Sequence, residues 1–126
     1  MDKIRYLNRA RDCGVIILDH LTMVVDDADN PTQELNKLVA DLKKISVELG
    51  IIIVAACHLR KAQNAAKQTE EGGRVTLDDL KQSSSVKQLA DIVIGLERNG
   101  QAEDPVEANT TKMRVLKDRD FGSKGL

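Results

Sequence analysis

Apolar positions change rhythm several times along the chain, and each rhythm predicts an element. Ile4, Leu7 and Ala10 recur at helical spacing, so residues 1–12 predict a helix stopped by Cys13-Gly14. Val15, Ile16, Ile17 and Leu18 then run on without alternation, the pattern of an interior parallel strand covered on both faces, predicted over 15–19. Asn30-Pro31-Thr32-Gln33 opens a second helix, with Asn30 as N-cap, Pro31 at the first helical position and Gln33 placed to close a capping box. Leu35, Leu38, Val39, Leu42, Ile45 and Leu49 hold the helical period on one face, Lys37, Asp41, Lys43, Lys44 and Glu48 lie largely off it, and Gly50 is placed to end the helix. IIIVAAC at 51–57 predicts a second fully buried strand, so 15–57 reads as a strand, helix, strand crossover, right-handed by the general rule.

Residues 59–79 carry no period and contain Gly72-Gly73, which predicts a mobile loop. SSSVKQLAD at 83–91 predicts a short helix and IVIGLE at 92–97 a third buried strand. RNGQAEDPVEAN at 98–109 is a turn-rich acidic connector, and TKMRVLKD at 111–118 is a fourth strand with alternating character. Strands that alternate with helices make the fold class α/β: a mostly parallel open sheet flanked by helices, with no internal repeat and no boundary within 1–126.

Composition narrows the function classes. A chain of 126 residues that is 41% hydrophobic suits one ordinary domain. Lys and Arg number 19 against 20 Asp and Glu, a net charge of -1, so no bulk field pulls the chain toward nucleic acid or membrane, and any polyanion site must be local. The apolar runs are far shorter than the roughly 20 residues of a membrane span. MDKIRYLNRARD lacks a signal-peptide layout, so the expected compartment is the cytoplasm. Cys13 and Cys57 are expected to be buried free thiols; neither their number nor the adjacency of Cys57 and His58 suits a zinc site. Tyr6 and Phe121 are the only aromatic residues, too few for a base-stacking platform, so a nucleic-acid contact would fall on phosphates.

Candidate chemistry gathers at the carboxyl ends of the first two strands, where open parallel sheets place their sites. Asp19 follows VIIL and His58 follows IIIVAAC, so two strands each deliver a polar group to one rim. An aspartate after four apolar strand residues has the form of the carboxylate that holds Mg²⁺ in P-loop ATPases. Taken alone, Asp19 fits as well a residue that caps the following turn, and His58 a structural histidine.

LDH at 18–20, CHLRK at 57–61, TLDDLKQSSSVKQLADIVIGLERN at 76–99 and LKDRDFGSKG at 116–125 occur in the order seen in DnaB-like replicative helicases. Over essentially the whole chain the sequence resembles the helicase part of phage primase-helicases and of mitochondrial Twinkle. The resemblance implies a RecA-like ATPase fold, ATP or another NTP with Mg²⁺ as cofactors, single-stranded DNA as partner, and a ring-shaped homo-oligomer, a hexamer in the intact protein. It implies that Asp19 is the Walker B aspartate, that His58 senses the γ-phosphate, and that Gln88 links that phosphate to the DNA-binding loops. Arg119 resembles the arginine finger that reaches a neighbouring subunit's nucleotide, with Lys117 two residues earlier on the same strand face as its companion. A guanidinium suits that work because its fixed fork binds two phosphoryl oxygens at once. DNA contact would fall to Arg60, Lys61 and Lys67, with Lys81 at the start of the next motif. The loop 21–33 is a further candidate for the ring channel, although Asp26, Asp27 and Asp29 oppose direct phosphate contact. The role of His20 stays open between packing, hydrogen bonding and catalysis. An exposed helix glutamine, an exposed strand arginine and a solvated basic loop are the plain alternatives for Gln88, Arg119 and the lysines.

Two departures limit what the resemblance implies. The stretch at 81–85 reads Lys81-Gln82-Ser83-Ser84-Ser85, where the family usually has a glycine-rich segment that begins with arginine. No GxxxxGK[ST] occurs, so the phosphate cradle (Walker A) is missing, as is the family's upstream catalytic glutamate. The expectation is an incomplete RecA-like fold: the C-terminal portion of a helicase ATPase domain that needs a P-loop segment or partner chain, is inactive alone, and leaves sheet edges and apolar surface exposed. A RecA-like recombinase-type ATPase and a non-catalytic remnant or DNA-binding module of the same fold are the competing readings.

Overall fold

The computed structural model describes residues 1–25, 29–58, 73–80 and 84–122. Its compact units are two: residues 1–58 with 82–89, and residues 59–81 with 90–126.

In the first unit, α1 (Asp2–Arg11) leads into β1 (Val15–Leu18). The helix ends one residue earlier than Cys13-Gly14 predicts, because Asp12 itself takes the left-handed conformation, φ 52°, and donates its N–H to the Leu7 carbonyl. Aspartate is among the few non-glycine residues that tolerate this region. A 3₁₀ turn at Leu21–Val24 follows β1, an element the sequence pattern did not announce. α2 (Pro31–Leu49) is capped as expected: the Asn30 side chain accepts from the Gln33 N–H at 3.2 Å, and Gly50 closes the helix at φ 63°. The capping box takes a variant form, in which Gln33 Oε1 faces the Asn30 side-chain amide at 3.5 Å. β2 (Ile52–Ala55) pairs with β1 in parallel, Val15 opposite Ile52 and Leu18 opposite Ala55. α3 (Ser84–Leu89) packs on α2, where Ser85 Oγ meets Asn36 Oδ1 at 2.5 Å.

Leu35, Val39, Leu42 and Ile45 of α2 meet Ile4, Ile16, Leu21, Val25 and Ile51 in one apolar core, with Val86 and Leu89 of α3 against it. Ile45 is only 2% exposed, as the helical period foretold. The expectation that both strands are buried on both faces is corrected. Ile16, Leu18 and Ile53 face the helices, while Val15, Ile17, Ile52 and Val54 stand exposed, Ile17 at 74%. Successive strand residues point to opposite faces, and the described helices cover one of them.

The second unit is built on an antiparallel pair, β3 (Ile92–Arg98) with β4 (Thr111–Asp118), joined through the short helix α4 (Pro105–Ala108). A bulge falls between Val93 and Ile94. Here too one face is open: Ile92, Ile94 and Leu96 are exposed, whereas Gly95 and Glu97 are buried, so β3 is not the strand buried on both faces that its composition suggested. Val75 packs over Gly95, where an added Cβ would lie 3.0 Å from Val75 Cγ1, so a side chain at 95 would push this contact apart. Ahead of β3, Leu77–Leu80 forms another unannounced 3₁₀ turn, with Asp79 accepting from the Thr76 N–H at 2.7 Å. Cys13 and Cys57 are free, and both are half-buried where full burial was expected. Among the described residues no helix is long and apolar enough to cross a membrane.

Candidate functional site

Parallel pairing sets the rim. With Leu18 opposite Ala55, the residues that follow each strand leave the sheet side by side. Two backbone bonds fasten the exits: Ala56 N–H donates to the Leu18 carbonyl at 2.9 Å, and Leu21 N–H to the Ala56 carbonyl at 3.0 Å. Buried Leu21 then anchors the 3₁₀ turn in the core. Asp19, His20 and His58 therefore share one edge of the first unit, as the positions of Asp19 and His58 at strand ends predicted.

The imidazoles of His20 and His58 touch, their centroids 4.2 Å apart and their planes inclined by 75°. His20 also caps the 3₁₀ turn, its Nδ1 accepting from the Met23 N–H at 3.3 Å with Thr22 Oγ1 at 2.5 Å. The peptide bond between Asp19 and His20 is cis. Asp19 is exposed and makes no hydrogen bond or ion pair with any described residue. Beside this rim, burial pushes the Cys57 thiol above its ordinary range, which keeps it a neutral thiol.

No three His, Cys, Asp or Glu side chains cluster closely enough among the described residues to hold a metal ion by themselves. A lone, solvated carboxylate instead suits a cation that keeps most of its ligands from water and from a nucleotide, which is the habit of Mg²⁺. Asp19 is the described carboxylate exposed at this rim.

Gln88 lies exposed on α3 in the same unit as the rim. Lys117 and Arg119 belong to the second unit. Lys117 is on β4 opposite Val93, but β4 ends at Asp118, so Arg119 stands beyond the strand and not on a shared strand face with Lys117. Its N–H donates to the Asp91 carbonyl at 2.9 Å, and its guanidinium faces the Asp91 carboxylate at 3.4 Å, both side chains about half exposed. Such solvated pairs are weakly held. Arg60, Lys61, Lys67 and Lys81, with Asp26 and Asp27, lie outside the described residues.

Sequence reasoning left the role of His20 open and missed its contact with His58. The adjacent signal was an unlike one: a histidine after Asp19 with a hydroxyl two residues on, in a run otherwise apolar.

The chain matches the model of the DnaB-like helicase C-terminal domain over residues 1–125. It is 34% identical to the DNA helicase/primase of Enterobacteria phage T3 across 98% of its own length and 22% of that protein. It is 32% identical to the replicative DNA helicase DnaB of Rickettsia bellii across 76% of its length and 19% of that protein. The chain thus spans about a fifth of the length of these two relatives. A solved helicase ATPase domain superposes with a TM-score of 0.75 at 25% identity, covering 98% of this chain and 44% of that one. The RecA-like α/β fold expected from the sequence is the fold this match carries, although the described strands form one parallel and one antiparallel pair where a mostly parallel sheet was expected.

Proposed function

Because the chain belongs to the DnaB-like helicase C-terminal domain family, we propose that it is part of a ring-forming replicative helicase that couples ATP hydrolysis to movement along single-stranded DNA and to duplex unwinding. The observation that carries this reading is the rim where two adjacent parallel strands deliver Asp19 and the paired imidazoles of His20 and His58 to one edge.

Asp19 would hold Mg²⁺, and the ion would supply charge neutralisation for the phosphates of ATP or another NTP. His58 would donate a hydrogen bond to the γ-phosphate and register its loss. Gln88 would relay that change toward the DNA-binding segment, where Arg60, Lys61, Lys67 and Lys81 would hold DNA phosphates without regard to sequence. Arg119 would act in trans on a neighbouring subunit's nucleotide, with Lys117 beside it, which requires an oligomer and fits a hexameric ring. The Arg119 guanidinium, about half exposed beside Asp91, carries the fixed fork that suits a phosphoryl group. The site of action would be the cytoplasm of a bacterial or phage-infected cell.

No GxxxxGK[ST] is present, so the phosphate cradle must come from a P-loop segment joined to this chain or supplied by a partner. The test is ATP hydrolysis with and without single-stranded DNA, by the chain alone and by the chain fused behind a P-loop segment. DNA-stimulated turnover is expected only in the fused form. Arg119→Ala should abolish it, and mixing with subunits that lack a functional P-loop but keep Arg119 should restore it. A folded fused form that stays inactive with DNA present would leave a non-catalytic module of this fold as the better reading.

A further inference from the structure

His20 does more than cap a turn. A capping residue needs only an acceptor, and asparagine, aspartate or serine supplies one with less bulk. The Met23 backbone N–H can only donate, so the Nδ1 it bonds carries a lone pair, and Thr22 Oγ1, at 2.5 Å, donates its proton to the same atom. Neutral His20 therefore bears its proton on Nε2, and two donors on Nδ1 fix the plane of the ring. That fixed ring meets the His58 imidazole with centroids 4.2 Å apart at 75°. His58 itself sits exposed past the end of β2, and its ring accepts or donates no hydrogen bond among the described residues. Among the described residues, the neighbouring imidazole is the ring contact against which His58 is set.

We infer that His20 is a positioning residue, held by Thr22 and the Met23 N–H, that sets the orientation of the His58 ring at the Asp19 rim. The inference rests on the helicase reading for what His58 contacts, and on the described geometry for how it is held. A reacting or sensing group displaced by about 1 Å can cost roughly a hundredfold in rate, so a ring with a rigid neighbour differs in consequence from one that turns freely.

His20→Asn separates the two roles, because it keeps an acceptor for the turn and removes the ring. Thr22→Val removes the hydroxyl, and Thr22→Ser restores it. Long-range ¹⁵N–¹H spectra of the imidazoles in the full chain should show His20 with its proton on Nε2. His20→Asn should shift and broaden the His58 ring signals while the backbone amides of α2 stay in place. Thr22→Val should loosen the His20 ring and broaden its signals while the Met23 N–H keeps the proton on Nε2, and Thr22→Ser should restore the sharp signals. A proton on His20 Nδ1, or His58 signals indifferent to His20→Asn, would overturn the inference.

In the form fused behind a P-loop segment, His20→Asn should lower kcat for DNA-stimulated ATP hydrolysis roughly tenfold with KM little changed, the pattern of a contact used after binding. An unchanged kcat in that variant, beside an active parent, would overturn the positioning role while the helicase reading survived. An inactive parent would instead sink the helicase reading, and the positioning role with it.

Discussion

Glu97 is the buried charged residue of the described core, 6% exposed on the covered face of β3. Its Oε1 accepts from the Val75 N–H at 2.9 Å and from Arg114 Nε at 2.7 Å, while Oε2 accepts from Arg114 Nη2 at 3.1 Å. The Arg114 guanidinium holds the carboxyl below its ordinary range, the Val75 N–H adds to this, and burial opposes both. A carboxylate depressed in the folded state stabilises the fold above its unfolded pKa of about 4.3 and loses that contribution as pH falls through the lower folded value. Glu97→Gln should therefore reduce stability to urea at pH 7, and the gap to the parent should close progressively below pH about 4. An equal gap at both pH values would assign the effect to packing and not to charge. The buried acid was hidden in the sequence because IVIGLE reads as uniform strand material, and what resolves it is Arg114, 17 residues on and near Glu97 only through the β3–β4 pairing.

At the scale of elements, α2 is where local signals agree most fully. Asn30 caps it, Pro31 begins it, Leu35, Val39, Leu42 and Ile45 fill the core and Gly50 ends it. Loss of the cap acceptor in Asn30→Ala should cost about 1 kcal/mol, with Asn30→Asp close to the parent, read from the midpoint of urea unfolding at constant slope. A cost near zero would mean that the first turn frays in the parent. Elements specified by such short-range chemistry were legible in the sequence, and so were the four strands, the parallel crossover of β1 with β2 and the position of Asp19 and His58 at strand exits; the antiparallel pairing of β3 with β4 was not, because a mostly parallel sheet was expected. The two 3₁₀ turns and α4 were not, since four residues give no period to detect. Nor was one-sided burial. A run such as VIIL has the same composition whether or not a second layer covers its outer face. The ring contact between His20 and His58 escaped for a related reason, because it depends on the hydrogen bond from Leu21 to Ala56 that draws two exits together.

At the scale of the molecule, the described residues carry more apolar surface than the described helices cover. In the first unit Val15, Ile17, Ile52 and Val54 form a continuous outer face on a two-stranded parallel sheet. All-parallel sheets are ordinarily covered on both sides, because each buried aliphatic side chain contributes roughly 1.5–3 kcal/mol relative to leaving it in water. The solved ATPase domain is more than twice the length that this chain matches, so a relative of this fold has further chain with which to cover such a face. The isolated chain should accordingly bind a hydrophobic dye and associate as its concentration rises in sedimentation velocity. Ile17→Thr with Ile52→Thr should reduce both, because threonine keeps the β-branched shape that suits a strand while it removes apolar surface. Fusion behind a P-loop segment should suppress dye binding in the parent and change little in the double variant. Dye binding that persists unchanged after fusion, in a protein that then hydrolyses ATP, would mean that this face stays open in the working domain and serves a contact between subunits.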